Sequence, residues 1–275
     1  DDYKKRNSIR LGICSEYFHT HSISKYYDNL IKDIASTDIE IVLFKGPNSI
    51  DDETSKLLDS FVSKVVKLPR YVQSGCQSIL NESIDILLYL DIGMSNYTYL
   101  LSLSRLALVQ VNALGHTNTS GSPNIDYAIT CKEWETLGSE ENYSERLAKL
   151  SRIPINYSFP IFKEVDFKRS NLNIPDKSFL IGLPHTLFKY HPDFDHILDK
   201  ILEEIPHAFF FIAESSKESE TNQLKNRWDA RTKLVLERSI FHPRVDINQF
   251  LTILKNLDIV LAPFYYGMGN TLYQS

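Results

Sequence analysis

Short apolar runs of strand character alternate along this chain with longer stretches whose apolar positions recur at helical spacing. Residues 9–14 (IRLGIC), 39–44 (IEIVLF), 62–68 and 108–114 read as strands, with a short one expected at 127–130. The run at 84–90 (IDILLYL) is apolar almost throughout, the mark of a strand covered on both faces. Helical patterns fall between these runs, at 23–34 and 97–106. Such alternation predicts βαβ units and a parallel sheet. Residues 151–176 carry Pro154, Pro160 and Pro175 with little periodicity and read as a linker. A second series follows: a strand at 179–183 (FLIGL), a helix at 193–204, a strand at 208–213 (AFFFIA), a charged helix, a short strand around Ile240, a helix at 247–256 and the run 258–264 (DIVLAPF). The expected fold class is α/β, with two Rossmann-like domains at residues 1–155 and 156–275. The strands at 9–14 and 84–90 are expected to be buried in one sheet, and those at 179–183 and 258–262 in another.

Composition narrows the function. The chain has 275 residues, 43% hydrophobic and 24% charged, and at roughly 100 to 200 residues per domain it has room for two. A net charge of -5 supplies no basic surplus, so nucleic acid is not an expected partner. Cys14, Cys76 and Cys131 are far apart and odd in number, which offers neither a disulfide framework nor a paired metal motif. No apolar run approaches the roughly 18 residues of a membrane span. A cytoplasmic protein is the expectation, and the first residue and the abrupt end at GNTLYQS read as those of a fragment, with the second domain incomplete.

In open α/β sheets ligands bind beyond the carboxyl ends of the strands, and four loops occupy such places. After the first strand, SEYFHTHSIS carries His19 and His21, either of which could orient or deprotonate a reacting group, or simply cap and solvate the loop. ALGHTNTSG (113–121) has the small residues that let backbone N–H groups approach an anion or sugar, although a plain polar turn has the same composition. PHTLFKYH (184–191) places Lys189 where a lysine could neutralise a departing diphosphate, or remain solvated. FYYGMGNT (264–271) puts two glycines before an expected helix start but lacks the dinucleotide fingerprint. The Asp193-Phe194-Asp195 triplet reads as a helix cap and first-turn acid rather than a metal pair. No metal is expected.

The four loops, in order, resemble glycosyltransferase family 41, which contains the O-GlcNAc transferases and the bacterial cytoplasmic protein N-glucosyltransferases that modify adhesins. HTHSIS, DIGM, SRLALVQVNALGHTNTSGSPNIDYAIT, GSEENYSERLAKL, IGLPHTLFKYHPDF and HPRVDINQFLTILKNLDIVLAPFYYG carry the likeness, which is closer to the second branch. It implies a GT-B fold, two Rossmann-like domains with parallel sheets facing a cleft lined by His21, His116, Lys189 and residues 267–271. The first domain would hold the acceptor and the second the nucleotide sugar. It further implies an inverting, metal-independent enzyme that transfers a hexose, glucose above all, from a UDP-sugar to Asn or Ser/Thr side chains of a polypeptide such as an adhesin. His21 and Lys189 match catalytic positions; His116, Thr119, Lys189, His242, Gly267, Asn270 and Thr271 match the nucleotide-sugar site. No cofactor beyond the donor is implied. Two positions depart from the family pattern: Leu108 stands where Pro is usual, and Gln274 stands near the place of an Asp that holds the nucleotide. Gln274 keeps open a non-catalytic pseudo-glycosyltransferase that acts as a binding partner.

Overall fold

The computed structural model describes residues 8–116 and 118–275; residues 1–7 of the expected first domain and Thr117 of the 113–121 loop lie outside the described residues. In chain order the first half holds β1 (Arg10–Ser15), α1 (Ser22–Ala35), β2 (Glu40–Lys45), α2 (Glu53–Phe61), β3 (Lys64–Lys67), α3 (Val72–Leu80), β4 (Ile86–Tyr89), α4 (Asn96–Ser102), β5 (Val109–Asn112), β6 (Tyr127–Cys131) and β7 (Arg146–Leu150). The second half holds β8 (Phe179–Leu183), α5 (Asp195–Glu204), β9 (Ala208–Ala213), α6 (Glu218–Arg231), α7 (Lys233–Glu237), β10 (Ser239–His242), α8 (Ile247–Lys255) and β11 (Ile259–Val260). The chain divides into two compact units, residues 1–158 and 159–275.

The first unit is a seven-stranded sheet in the order β3-β2-β1-β4-β5-β6-β7, and every pairing is parallel. Strand alternation sends neighbouring side chains to opposite faces. Leu11, Ile13, Ile41 and Leu43 meet Ile23, Tyr27 and Ile31 of α1 and Leu58 of α2. Cys14, Val42, Phe44, Leu87 and Tyr89 meet Ile79 of α3 and Tyr97 and Leu101 of α4 on the other face. Two covered faces explain why these strands are apolar without interruption. Each fully buried Leu, Ile or Phe contributes about 1.5–3 kcal/mol. The sequence pattern shows neither α2 and α3, which are short, nor β7, whose RLAKL reads as surface because it is an edge strand with exposed ends.

The second unit is a four-stranded parallel sheet in the order β10-β9-β8-β11. Ile181, Leu183, Phe210 and Ile212 pack under α5, α6 and α7 through Leu198, Leu202, Leu224, Trp228 and Val235. Leu180 and Phe211 pack against Ile253 of α8 on the opposite face. The expected strand at 258–262 is corrected here. β11 spans two residues and pairs only with β8, so as an edge strand it leaves Ile259 47% exposed. Of the Asp193–Asp195 triplet, the first-turn acid is as expected, since Asp195 opens α5, but the cap is not Asp193. His191 caps the 3-10 turn Pro192–Phe194 by accepting from Asp193 N, while Asp195 is buried and accepts from Trp228 Nε1 and Arg227, each at 2.8 Å. The unsatisfied indole donor of a buried tryptophan draws that carboxylate inward. The proline-rich stretch is irregular apart from a 3-10 turn at Arg169–Leu172. Asn156 N donates to Tyr26 O in the first unit; Val165 N donates to Thr252 and Arg169 pairs with Asp258 in the second.

Candidate functional site

Each sheet has one place where the strand order reverses, so that loops leave two neighbouring strands in opposite directions and open a crevice. In the first unit this point lies between β1 and β4. The β1 loop opens with Glu16 and the β4 loop carries Asp91 as its second residue, both buried. Asp91 Oδ2 accepts from Glu16 N at 2.8 Å and Ser15 Oγ at 3.1 Å. Glu16 in turn accepts from Ser95 Oγ at 2.6 Å and Asn48 Nδ2 at 2.8 Å. Burial, reinforced by the Glu16 charge and opposed by these hydrogen bonds, pushes the Asp91 pKa up to about 6. The two acids fasten the loops after β1, β2 and β4 to one another. Neither was picked out by the sequence reading, although an acid directly after an apolar strand, as in LGICSE and LLYLD, is a legible signal.

This frame fixes His21. Tyr17 N donates to Ser15 Oγ at 2.9 Å, and the Tyr17 ring stacks on His21 with centroids 4.3 Å apart. Thr20 N donates to Asp52 Oδ2 at 2.7 Å, while Asp52 Oδ1 caps α2 through Ser55 N. His21 is the N-cap of α1, its Nδ1 accepting from Ile23 N at 3.2 Å. Its pKa is lowered by burial, then by the positive charges of His19 and Lys25. A neutral ring whose Nδ1 accepts must carry its proton on Nε2. His21 therefore presents an N–H donor, which suits orienting an oxygen better than removing a proton.

The loop after β5 comes to the same end of the sheet. A Cβ on Gly115 would lie 1.7 Å from Leu90 O and 3.1 Å from Ile23 Cδ1, so only glycine lets this loop pass between the β4 loop and the first turn of α1. His116 follows and packs on Gly93, whose φ of 92° is left-handed. Thr119 is turned to other work: its hydroxyl donates to Glu145 Oε2 at 2.6 Å and accepts from Ser144 N at 3.0 Å, tying the loop to the start of β7.

In the second unit the reversal lies between β8 and β11, and the loops that leave them are laced together. His185 is 4% exposed and its Nε2 bonds Leu261 O at 2.8 Å; burial foremost lowers its pKa, leaving a neutral ring that donates from Nε2. Lys189 Nζ donates to Gly267 O at 3.2 Å and lies 4.6 Å from the centre of the Tyr266 ring. Tyr265 Oη donates to Asp193 Oδ2 at 2.9 Å. Burial lowers the Lys189 pKa. Along Gly267, Met268 and Gly269 the φ angles run 68°, -86° and 60°. Such left–right alternation turns successive N–H groups into one concavity suited to an anion. Added Cβ atoms at either glycine would meet nothing within 4 Å. Tyr265 also sits at φ 69°, which a non-glycine residue holds at a cost of about 1–3 kcal/mol.

The expected helix start here is a 3-10 segment, Gly269–Tyr273, that contains Asn270 and Thr271. Asn270 Oδ1 is buried without a hydrogen-bond partner among the described residues, and Thr271 O accepts from Gln274 N and Ser275 N, both at 3.1 Å. Lys189, Gly267, Asn270 and Thr271 thus share one end of the second sheet. His242 ends β10 at the sheet's other edge, its Nδ1 2.8 Å from Pro243 O and its ring tilted on Phe211. It has no hydrogen bond or ring contact with the Lys189 cluster among the described residues. Nor do those residues include a group of three or more His, Cys, Asp or Glu placed to hold a metal ion.

The chain is 28% identical over 279 residues to a UDP-glucose:protein N-beta-glucosyltransferase of Actinobacillus pleuropneumoniae, a match covering 97% of this chain and 42% of that relative. The chain is similar to these protein glycosyltransferases, in keeping with the resemblance to family 41 that its motifs carry. A probable UDP-N-acetylglucosamine–peptide N-acetylglucosaminyltransferase of Arabidopsis thaliana, SEC, is 21% identical and matches 74% of this chain and 22% of its own length. The structure of an O-GlcNAc transferase variant from Thermobaculum terrenum superposes with a TM-score of 0.81 at 20% identity, covering 97% of this chain and 50% of that one. The fold is accordingly GT-B. No protein-family model matches the chain. The chain spans less than half the length of the glucosyltransferase it matches. No helix among the described residues is long and apolar enough to cross a membrane.

Proposed function

We propose that this chain is the catalytic portion of an inverting, metal-independent protein glycosyltransferase that moves a hexose, glucose in the first instance, from a UDP-sugar to asparagine side chains of a polypeptide, with Ser/Thr as the lesser acceptors. The observation that carries the reading is the meeting of Lys189 with the Gly267–Gly269 turn at the reversal point of the second sheet. An ammonium beside a turn of alternating left- and right-handed residues is a device for a phosphate, and it gains strength as charge develops on a departing diphosphate. In the reaction the acceptor nitrogen bonds to the anomeric carbon while the bond from that carbon to the UDP oxygen breaks. The acceptor proton passes to solvent or phosphate. His21, a donor through Nε2, orients the reacting groups. Asn270 and Thr271 would complete the donor site on the second unit. The family resemblance also assigns His116, Thr119 and His242 to the nucleotide sugar, and the Thr119 hydroxyl would then have to release Glu145. An adhesin acceptor and a cytoplasmic setting belong to the same proposal, by likeness to the N-glucosyltransferase.

A second reading, a non-catalytic partner protein of the same fold, is favoured by Gln274 at the place of the family's nucleotide-holding Asp. Intact-mass measurement decides between them. Candidate peptides incubated with the full-length protein and UDP-glucose, UDP-galactose or UDP-N-acetylglucosamine should gain one hexose with UDP-glucose. No mass gain with any donor, together with no UDP binding, would leave the second reading.

A further inference from the structure

The first unit holds a second concavity, of about 360 Å³, apart from the reversal point of its sheet. It opens at the carboxyl ends of β2 and β3, between residues 45–51 and 67–70, and its charged lining is Lys45, Asp51, Lys67 and Arg70. Both walls are fastened. Asn48 Nδ2 and Ser49 Oγ donate to Glu16 at 2.8 and 3.1 Å, and Gly46 packs so tightly on Glu16 that a Cβ would lie 2.4 Å from its Cγ. Opposite, Leu68 N donates to Lys45 O at 2.8 Å and Tyr97 Oη donates to Pro69 O at 2.6 Å. The concavity is therefore preformed.

Its charges are unequally committed. Lys45 is buried and satisfied by Ser55 and Asp59 behind the wall. Lys67 pairs with Asp51, but both side chains are more than half exposed, so that pair is weak and exchangeable. Arg70 is exposed and pairs with no acidic side chain among the described residues. Directly after it Tyr71 is the N-cap of α3 and makes no side-chain cap, and Tyr71 is 78% exposed. A guanidinium and an exchangeable ammonium thus line one opening in a chain of net charge -5, with an uncapped helix start next to Arg70 in the chain. That combination selects carboxylates. One residue past the lining, Asp52 accepts from Thr20 N, next to His21, so the concavity continues the loop system that holds His21.

We infer that this concavity is a subsite for an acidic residue of the acceptor polypeptide, flanking the residue modified. Arg70 forms the bidentate contact, Lys67 leaves Asp51 to add a second, and Pro47 and Pro69 carry the apolar stem of the ligand. The inference rests on the proposed function for the identity of the polypeptide, but not for its charge preference.

Fluorescence anisotropy with labelled peptides and the full-length protein tests it directly. Pairs of asparagine-containing peptides would differ only in Asp/Glu against Asn/Gln at the flanking positions. The acidic member is expected to bind about tenfold more tightly, in line with one charge-assisted contact in a half-open site, and the preference should fade in high salt. Arg70→Glu, at an exposed position that packing does not hold, should abolish the preference and favour peptides with lysine in its place. Equal binding of both members to the wild type, or an acidic preference that survives Arg70→Glu, overturns the subsite. So does full displacement of the acidic peptide by millimolar inorganic phosphate, which would mark a small-anion site instead. UDP binding by the wild type is measured separately: its loss defeats the proposed function while the anisotropy still judges the subsite.

Discussion

Replacing Lys189 by alanine separates an anion-binding lysine from a lysine that merely packs. Without ligand, its ammonium donates to Gly267 O at 3.2 Å and lies 4.6 Å from the Tyr266 ring centre, half-buried. A cation–π contact at a partly exposed site is worth about 0.5–1 kcal/mol, and the hydrogen bond about as much again. The variant should lose about 1–2 kcal/mol of stability, small against the 5–15 kcal/mol typical of a domain, roughly. Lys189→Met keeps the stem against Tyr266 and should lose less. Under the proposed function the same ammonium would face a desolvated diphosphate in the transition state, where its removal should cost about 2–4 kcal/mol, or roughly a 30- to 1000-fold fall in kcat/KM. Lys189→Arg should restore only part of this, because a planar fork does not replace a point charge held at a tight turn. Burial lowers the Lys189 pKa in the free protein, and an arriving phosphate favours the charged form again. UDP affinity should therefore decline at alkaline pH below the range where a free lysine titrates. Calorimetric titration with UDP and initial rates with the UDP-sugar, both on the full-length protein, read these effects. Wild-type UDP affinity and turnover in Lys189→Ala would refute the diphosphate role and return Lys189 to the surface lysines.

Two further outcomes are expected. His21→Ala loses the cap on Ile23 N and should destabilise the protein by about 0.5–2 kcal/mol, whereas His21→Asn keeps a capping oxygen and most of that stability. Both lose the Nε2 donor, so wild-type turnover in His21→Asn would remove His21 from the reacting centre. Asp91, with its pKa pushed up to about 6, binds its proton more tightly folded than unfolded. It should therefore cost the wild type stability as pH rises from about 4, the unfolded value, through about 6, by up to about 3 kcal/mol. Urea midpoints of Asp91→Asn should lack this decline, and parallel pH profiles for the two proteins would disprove it.

The sequence made most of the fold legible because buried parallel strands leave a simple trace. IEIVLF and AFFFIA are apolar at every or nearly every position, since helices cover both faces of their sheets. β7 was not picked out and β11 was overestimated for a shared reason: each is an edge strand, so burial no longer dictates its pattern, and DIVLAPF reads as core although only two of its residues form a strand. Among site residues, Lys189 and the two glycines could be found by position alone, directly after strands. Thr119 and His242 could not be judged that way. The Thr119 hydroxyl is committed to Glu145, 26 residues ahead, and His242 ends the strand at the far edge from β11. Glu16, Asp91 and His185 were missed because their work lies in contacts between loops that sequence leaves far apart, such as His185 with Leu261 and Ser15 with Asp91.

The two reversal points are built alike and charged oppositely, and this difference argues for a division of labour. In the first unit the loops after β1 and β4 close on Glu16 and Asp91, a pair of buried acids, with His21 held neutral in the same β1 loop. Such a floor repels phosphate and favours neutral donors such as an amide N–H. In the second unit the equivalent loops close on neutral His185, cationic Lys189 and a turn whose N–H groups share one concavity. That arrangement attracts phosphate and has no acid among its hydrogen bonds nearer than Asp193, which Tyr265 occupies. Were the donor phosphates held by the first unit, the Asp91 carboxyl would face them with its own charge and its pKa would climb further on UDP binding. Nuclear magnetic resonance titration of the aspartate carboxyl carbons, with and without UDP, measures that shift. With the phosphates on the second unit, the Asp91 titration stays where it is and the lysine signal moves instead.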